Sequence, residues 1–432
     1  MSMLLQALNL LHEVGEVRVS KITIMAAAGA LLLAGCGRPP EPQFSVNARA
    51  AQLIPEARAK IADVLKANFG SPNRLVAWQK LPIDYGEASS APEGVAVPEA
   101  GWRLVEGRRL YMVHCLHCHG VAGDGSGPTA RFLNPKPRDY RQGIFKFKST
   151  MGDTRPTRED LERILADGIP GTYMPSFVLL GPERLGLLVD YVRWLSMRGE
   201  VETRLIAEQV ANGLTLQAVD QTYQERRAAK QKSSRAAIQA ELVATLEKEF
   251  EETAQATIDL VVDFWRAADD PASIVRPQAR RTPPTPESIA RGRGLFLSAK
   301  AKCSDCHGAS ARGDGPQTEQ FEKMKDVSPE RNYDHPGLHD AWGNLVSPRD
   351  LTRGIYRGGR RPIDIYRRIY SGINGTPMPG NKDALTEAEK WDVVNYVLSI
   401  PFDGRQSAAP DQVANADNQP AANMAAREKT SR

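Results

Sequence analysis

The chain has 432 residues, with 56 Lys and Arg against 52 Asp and Glu, a formal net charge of +4 that is small for this length. No basic cluster is interleaved with the aromatics of a nucleic-acid-binding surface, so nucleic acid is excluded as a partner. Only five Cys and seven His are present, few enough that their spacing carries information.

At the N-terminus, Arg18 and Lys21 precede an apolar run from Ile22 to Leu33, which leads into Ala34-Gly35-Cys36. A basic lead, a short apolar core and small residues before a cut describe a secretory signal. The run falls short of the roughly 20 residues that a spanning helix needs. Cysteine directly after Leu-Ala-Gly resembles a bacterial lipoprotein signal. That resemblance implies that segment 1–36 ends at Cys36, the lipid-attachment residue and mature N-terminus. The stretch before Arg18 is long for such a signal, which allows a start downstream of Met1. Gly37 rather than Asp follows the cysteine, which by the same resemblance implies the outer membrane of a Gram-negative cell. Residues 37–98 read as a Pro-rich tether carrying an amphipathic helix near Pro55–Asn68.

Residues 99–200 hold Cys115-Leu-His-Cys118-His119, and residues 286–402 hold Cys303-Ser-Asp-Cys306-His307. C-x-x-C-H is the attachment signal for covalent c-type haem. Each thiol adds across a haem vinyl group, and the histidine that follows donates a ring nitrogen to the iron. A thioredoxin-like pair or half of a zinc site has the same C-x-x-C core. Neither requires a histidine directly after the second cysteine, and neither motif has another C-x-x-C nearby.

The repeat extends beyond these motifs. Gly107-Arg-Arg-Leu-Tyr111 and Gly292-Arg-Gly-Leu-Phe296 precede them in short helical stretches. The glycine lets the last helix of the unit cross closely, with the aromatic four residues on beside that crossing. Downstream come Pro137-Arg138-Asp139 and Gly143-Ile-Phe145, matched by Pro348-Arg349-Asp350 and Gly354-Ile-Tyr356. Gly171-Thr-Tyr-Met174-Pro175 and Gly375-Thr-Pro-Met378-Pro379 then offer one methionine each, in a frame that proline keeps extended. A thioether is a soft sixth ligand that raises the reduction potential of iron. The expected axial pairs are therefore His119 with Met174 and His307 with Met378. Each unit closes on a helix whose apolar stripe is Leu188, Tyr191, Val192 and Leu195, or Val393, Tyr396, Val397 and Ile400.

Between the units, residues 201–285 read as a helical hairpin and linker. A helix near 201–232 pairs with one carrying the stripe Leu242, Leu246, Phe250, Ala254, Ile258, Val261 and Trp265. Such an insert serves as a spacer or as a docking arm. Thr282-Pro-Pro-Thr-Pro286 is a stiff linker, and the Ala-, Asn- and Gln-rich tail 403–432 reads as disordered. The second unit has a longer loop at 317–346 containing His335, His339 and Trp342, and either histidine could compete with Met378. Arginines gather at 349–368; Arg138 and Arg349 are candidates for pairing with haem propionates, the cluster could also steer an acidic redox partner, and most of the others read as a solvated helix face.

Both units resemble class I cytochrome c domains, with the haem signature, methionine loop and C-terminal helix in order. The resemblance implies an all-α fold of two cytochrome c domains joined by a helical insert, carrying two covalent c-type haems. With both axial positions filled, no catalytic residue is expected, and the chain reads as a lipid-anchored, periplasm-facing relay of single electrons. Expected partners are redox proteins: a quinol-oxidising complex, a dehydrogenase, a terminal oxidase or another cytochrome. A competing reading is a dihaem enzyme of peroxidase or thiosulfate-oxidising type, in which one distal ligand is replaceable.

Overall fold

A computed structural model describes residues 43–93, 99–324 and 330–406. The signal segment with Cys36, the first part of the tether and the tail from 407 lie outside the described residues.

Helix α1 (Pro55–Phe69) starts with proline in its first turn, where a missing N–H costs nothing, and ends at Gly70 with φ of 72°. It buries Ala57, Ile61, Leu65 and Phe69. Helix α2 (Trp102–His114) opens the first repeat unit. Helix α3 (Arg158–Asp167) is fixed at its start by a capping box between Thr157 and Asp160. Helix α4 (Gly181–Ala211) closes that unit and crosses α2.

A Cβ on Gly107 would collide with the Leu187 carbonyl oxygen and stand 3.1 Å from Tyr191 Cβ. The two backbones therefore touch where the sequence placed a glycine. Beside the crossing, the Tyr111 and Tyr191 rings lie 5.1 Å apart. The second unit repeats this with α7 (Pro286–Phe296) and α9 (Glu387–Gln406), which continues four residues past the boundary expected at 402. A Cβ on Gly292 would collide with the Asp392 carbonyl oxygen, and the Phe296 and Tyr396 rings lie 5.3 Å apart. Between α7 and α9 comes α8 (Pro362–Ser371). The described strands are two minimal antiparallel pairs, Gly70–Ser71 with Arg74–Leu75 and Leu338–His339 with Leu345–Val346, so the architecture is all-α in substance.

The insert differs in detail from a simple hairpin. Residues 201–211 are the end of α4; the chain turns at Gly213, forms α5 (Leu216–Ala228) and enters α6 (Arg235–Asp269) under a Ser234 cap. A single helix over 201–232 does not form because Asn212 and Gly213 interrupt it, and Thr215 caps a new start. The stripe of α6 is buried from Leu246 to Trp265 and half-buried at Leu242, against α1, α4 and α5. Its face is thus occupied by the chain itself, which leaves a docking arm no free stripe.

The described residues from Phe44 to Gln406 form one compact unit with two apolar cores. The larger combines α1, the first repeat unit and the insert; the smaller belongs to the second unit. No helix among the described residues is long and apolar enough to cross a membrane.

Candidate functional site

Each repeat unit encloses a cavity, of about 450 Å³ in the first and about 220 Å³ in the second. Cys115, Cys118, His119 and Met174 line the first; Cys303, Cys306, His307 and Met378 line the second. The expected groups are thus brought together in two separate places. All four cysteines are free thiols. Burial pushes the Cys115 thiol up to about 12 and Cys303 up to about 11, so both are held as neutral thiols. Among the described residues no group of three or more His, Cys, Asp or Glu converges as a metal cluster.

The two histidines are oriented alike. His119 Nδ1 lies 3.1 Å from the Arg138 carbonyl oxygen, and His307 Nδ1 lies 3.0 Å from that of Arg349. A carbonyl only accepts, so Nδ1 carries the proton and Nε2 keeps its lone pair free for a metal. Burial lowers His119 to about 4 and lowers His307 as well, which keeps both rings neutral near pH 7. Tyr140 stacks on the His119 ring at 4.8 Å.

The methionine loops are also built alike. Thr172 Oγ1 donates to the Ile169 carbonyl (2.8 Å) and accepts from Met174 N–H (3.1 Å). Thr376 Oγ1 donates to Ile373 (2.7 Å) and accepts from Met378 N–H (3.3 Å). The Ile169 and Ile373 amides close each loop on the methionine carbonyl at 3.1 and 3.2 Å. The threonine of G-T-x-M-P is therefore the brace of the loop, a role that the repeated frame signalled and that sequence reasoning did not assign.

Arg138 and Arg349 line the first and second cavity respectively. Arg138 lies 3.9 Å from the Trp342 ring centroid, and burial lowers its guanidinium to about 10. It makes no side-chain hydrogen bond among the described residues, whereas Arg349 Nε donates to the Ile355 carbonyl at 3.0 Å. Half-buried cations facing apolar cavities suit the carboxylates of a bound cofactor.

His335 and His339 line neither cavity. His335 is exposed, while His339 is buried, stacked on Tyr333 at 3.6 Å and 3.2 Å from Glu322 Oε2. The long loop instead reaches the first unit through Trp342 and through Asp340, which lies 3.5 Å from Lys146 Nζ. Nor are the second-unit arginines mainly a solvated face. Arg357, Arg367 and Arg368 donate to backbone carbonyls, and Asp364 binds both Arg361 (2.9 Å) and Arg163 of the first unit (2.6 Å). Lys146, Phe147 and Arg357 line both cavities. Lys146 and Arg357 occupy matching places after Gly143-Ile-Phe145 and Gly354-Ile-Tyr356, a correspondence legible in the repeat but not used.

Two thiols, an imidazole with a free nitrogen and a thioether lining one apolar cavity fit an iron porphyrin attached by both cysteines. The cytochrome c family model matches the chain twice, over residues 104–196 and 289–401. No curated protein matches it. A solved structure from Kuenenia stuttgartiensis, described as a reducing HAO-like protein complex, is 24% identical, covering 72% of this chain and 99% of that one with a TM-score of 0.45. The two matched regions, 104–196 and 289–401, are thus cytochrome c domains, and such domains imply covalently bound c-type haem and electron transfer.

Proposed function

We propose that the chain is a dihaem relay that passes single electrons between redox proteins and performs no substrate chemistry of its own. A bound haem supplies an iron that alternates between ferric and ferrous states. Cys115 and Cys118 would hold one haem and Cys303 and Cys306 the other, with His119 and Met174, and His307 and Met378, as the residues that would bind each iron. The carrying observation is that both cavities have the same ligand geometry, with Nδ1 locked to a backbone carbonyl and the methionine loop braced by threonine. The enzyme alternative needs a replaceable distal ligand, and neither loop histidine lines the second cavity.

The proposed setting is the periplasmic side of a Gram-negative outer membrane, anchored by lipid at Cys36. Support comes from the Leu-Ala-Gly-Cys sequence and from haem attachment taking place outside the cytoplasm. Several acyl chains on one cysteine hold a protein stably where a single chain would be marginal. Donors and acceptors are a quinol-oxidising complex, a dehydrogenase, a terminal oxidase or another cytochrome.

A denaturing mass spectrum should show two haems per chain, and both ferric haems should be low-spin with the near-infrared band of sulfur-to-iron charge transfer. One haem per chain, or a resting high-spin haem that binds carbon monoxide rapidly, would overturn the relay. Cys36→Ser should release the protein from membranes or leave it unprocessed; membrane fractionation like that of the wild type would exclude the lipid anchor.

A further inference from the structure

The seam between the cytochrome domains is built by exchange. Gly171 opens the methionine loop of the first domain. A Cβ there would collide with the Arg349 guanidinium of the second domain and stand 3.1 Å from Ile355 Cγ2. Gly375 holds the matching place in the second domain. A Cβ there would stand 2.8 Å from Ile144 Cγ2 of the first domain and 2.9 Å from Trp342 Cζ3. Ile144 and Ile355 are themselves matching residues of the repeat, in Gly143-Ile-Phe145 and Gly354-Ile-Tyr356.

The backbone takes part as well. Arg357 Nη2 reaches the Gly171 carbonyl across the seam at 3.4 Å, and the Ala341 N–H donates to the Gly375 carbonyl at 3.0 Å. Both glycines sit at φ near 70° (72° and 71°), where a side chain is strained. Neither loop has a side chain of its own at this point: the first rests on Arg349 and Ile355 of the second domain, and the second on Ile144 of the first domain together with Trp342 of its own. Packed contacts of this kind carry coupling between sites when both ends respond to one element's position.

We propose that each cytochrome domain positions the other's methionine loop, with Ile355 bracing the Met174 loop and Ile144 bracing the Met378 loop. This rests on the reading of both methionines as axial ligands. Ile144 and Ile355 line neither cavity, so their influence on an iron has to pass through the loop. They are positioning residues, and the ligation of each haem then depends on the other domain.

The test uses the full haem-loaded chain in a Met378→His background, where the remaining sulfur-to-iron band reports Met174 alone. Ile355→Ala, a change in the second domain, should weaken or shift that band and lower the first haem's potential. Carbon monoxide should bind the reduced first haem several-fold faster, while Ile355→Val retains most of the wild-type behaviour. Ile144→Ala in a Met174→His background should do the same to the second haem. If Met378→His alone abolishes the band, Met174 is not a ligand and the underlying reading fails instead. A band that persists in Met378→His and is unmoved by Ile355→Ala, with unchanged potential and carbon monoxide rate, overturns the reciprocal bracing. Should Ile355→Ala misfold, Ile355→Val decides by the same readouts: a smaller shift in the same direction supports the bracing, and none overturns it.

Discussion

At the residue scale, the two sites show how little chemistry needs to vary once the frame is fixed. The imidazoles are ready to bind metal because a backbone carbonyl takes the Nδ1 proton, and that carbonyl belongs to the arginine of Pro-Arg-Asp. The loop threonine works in the same economical way. Thr376→Val removes a hydrogen bond to Ile373 and one from Met378 N–H, each contributing about 1 kcal/mol. The methionine loop should loosen, and carbon monoxide binding to the second haem, followed by stopped flow, should accelerate while the fold persists. Lys146 offers a pH-dependent counterpart. Burial, with the nearby Arg138 and Arg357, lowers its ammonium to about 8 against the pull of Asp340. Below pH 8 it is charged and disfavours the additional positive charge of ferric iron, so potentials are higher; above it the charge is lost and they fall. A redox titration should show this fall centred near pH 8, flattened in Lys146→Met. The same group is protonated more readily in the unfolded chain, so its contribution to stability rises with pH between about 8 and its ordinary value. Lys148, also lowered to about 8, lines neither cavity and should leave the potentials unmoved when replaced.

At the scale of elements, the helix crossings were legible because a glycine and an aromatic four residues on repeat in both units. Gly107→Ala and Gly292→Ala test that reading against helix propensity. Alanine favours an isolated helix by up to about 1 kcal/mol, but here its methyl meets the carbonyl oxygen of the crossing helix. Overpacking of this kind costs roughly 1–3 kcal/mol. Both variants should lower thermal stability, each in its own domain, as read by haem absorbance. Other features were less legible for physical reasons. The apolar stripe of the insert was visible from helical spacing, but its partner was not, because periodicity identifies a face without saying what covers it. Glu200 shows the same limit. Nothing in its sequence position on α4 singles it out, yet it is buried against Arg155 and accepts from Trp265 Nε1 at 3.2 Å. Glu200→Gln should destabilise the first domain by about 3–5 kcal/mol, since it leaves a buried guanidinium unpaired; denaturant titration would show it.

At the scale of the whole molecule, two apolar cores meet across a polar seam of Lys146 with Asp340 and Arg163 with Asp364. The repeat fixed which residues match between the domains, but not that Gly171 and Gly375 would face the opposite partner. That arrangement depends on how two folded bodies dock. The tether helix, the first cytochrome domain and the insert share one core, so they should unfold as one body, with the second domain melting in its own transition. Phe250 separates this expectation from a loose spacer. It sits in the middle of α6, 2% exposed and distant in sequence from every haem motif. Replacing it with alanine removes an aromatic side chain from a packed core, at a cost of roughly 3–5 kcal/mol. In a spacer that cost would fall on the insert alone, and the first haem would keep its melting temperature. Within a shared core it falls on the first domain, so the absorbance of the Met174 haem, followed in the Met378→His background, should be lost at a lower temperature. The second haem's transition should stay in place, because its core contains no residue of α6.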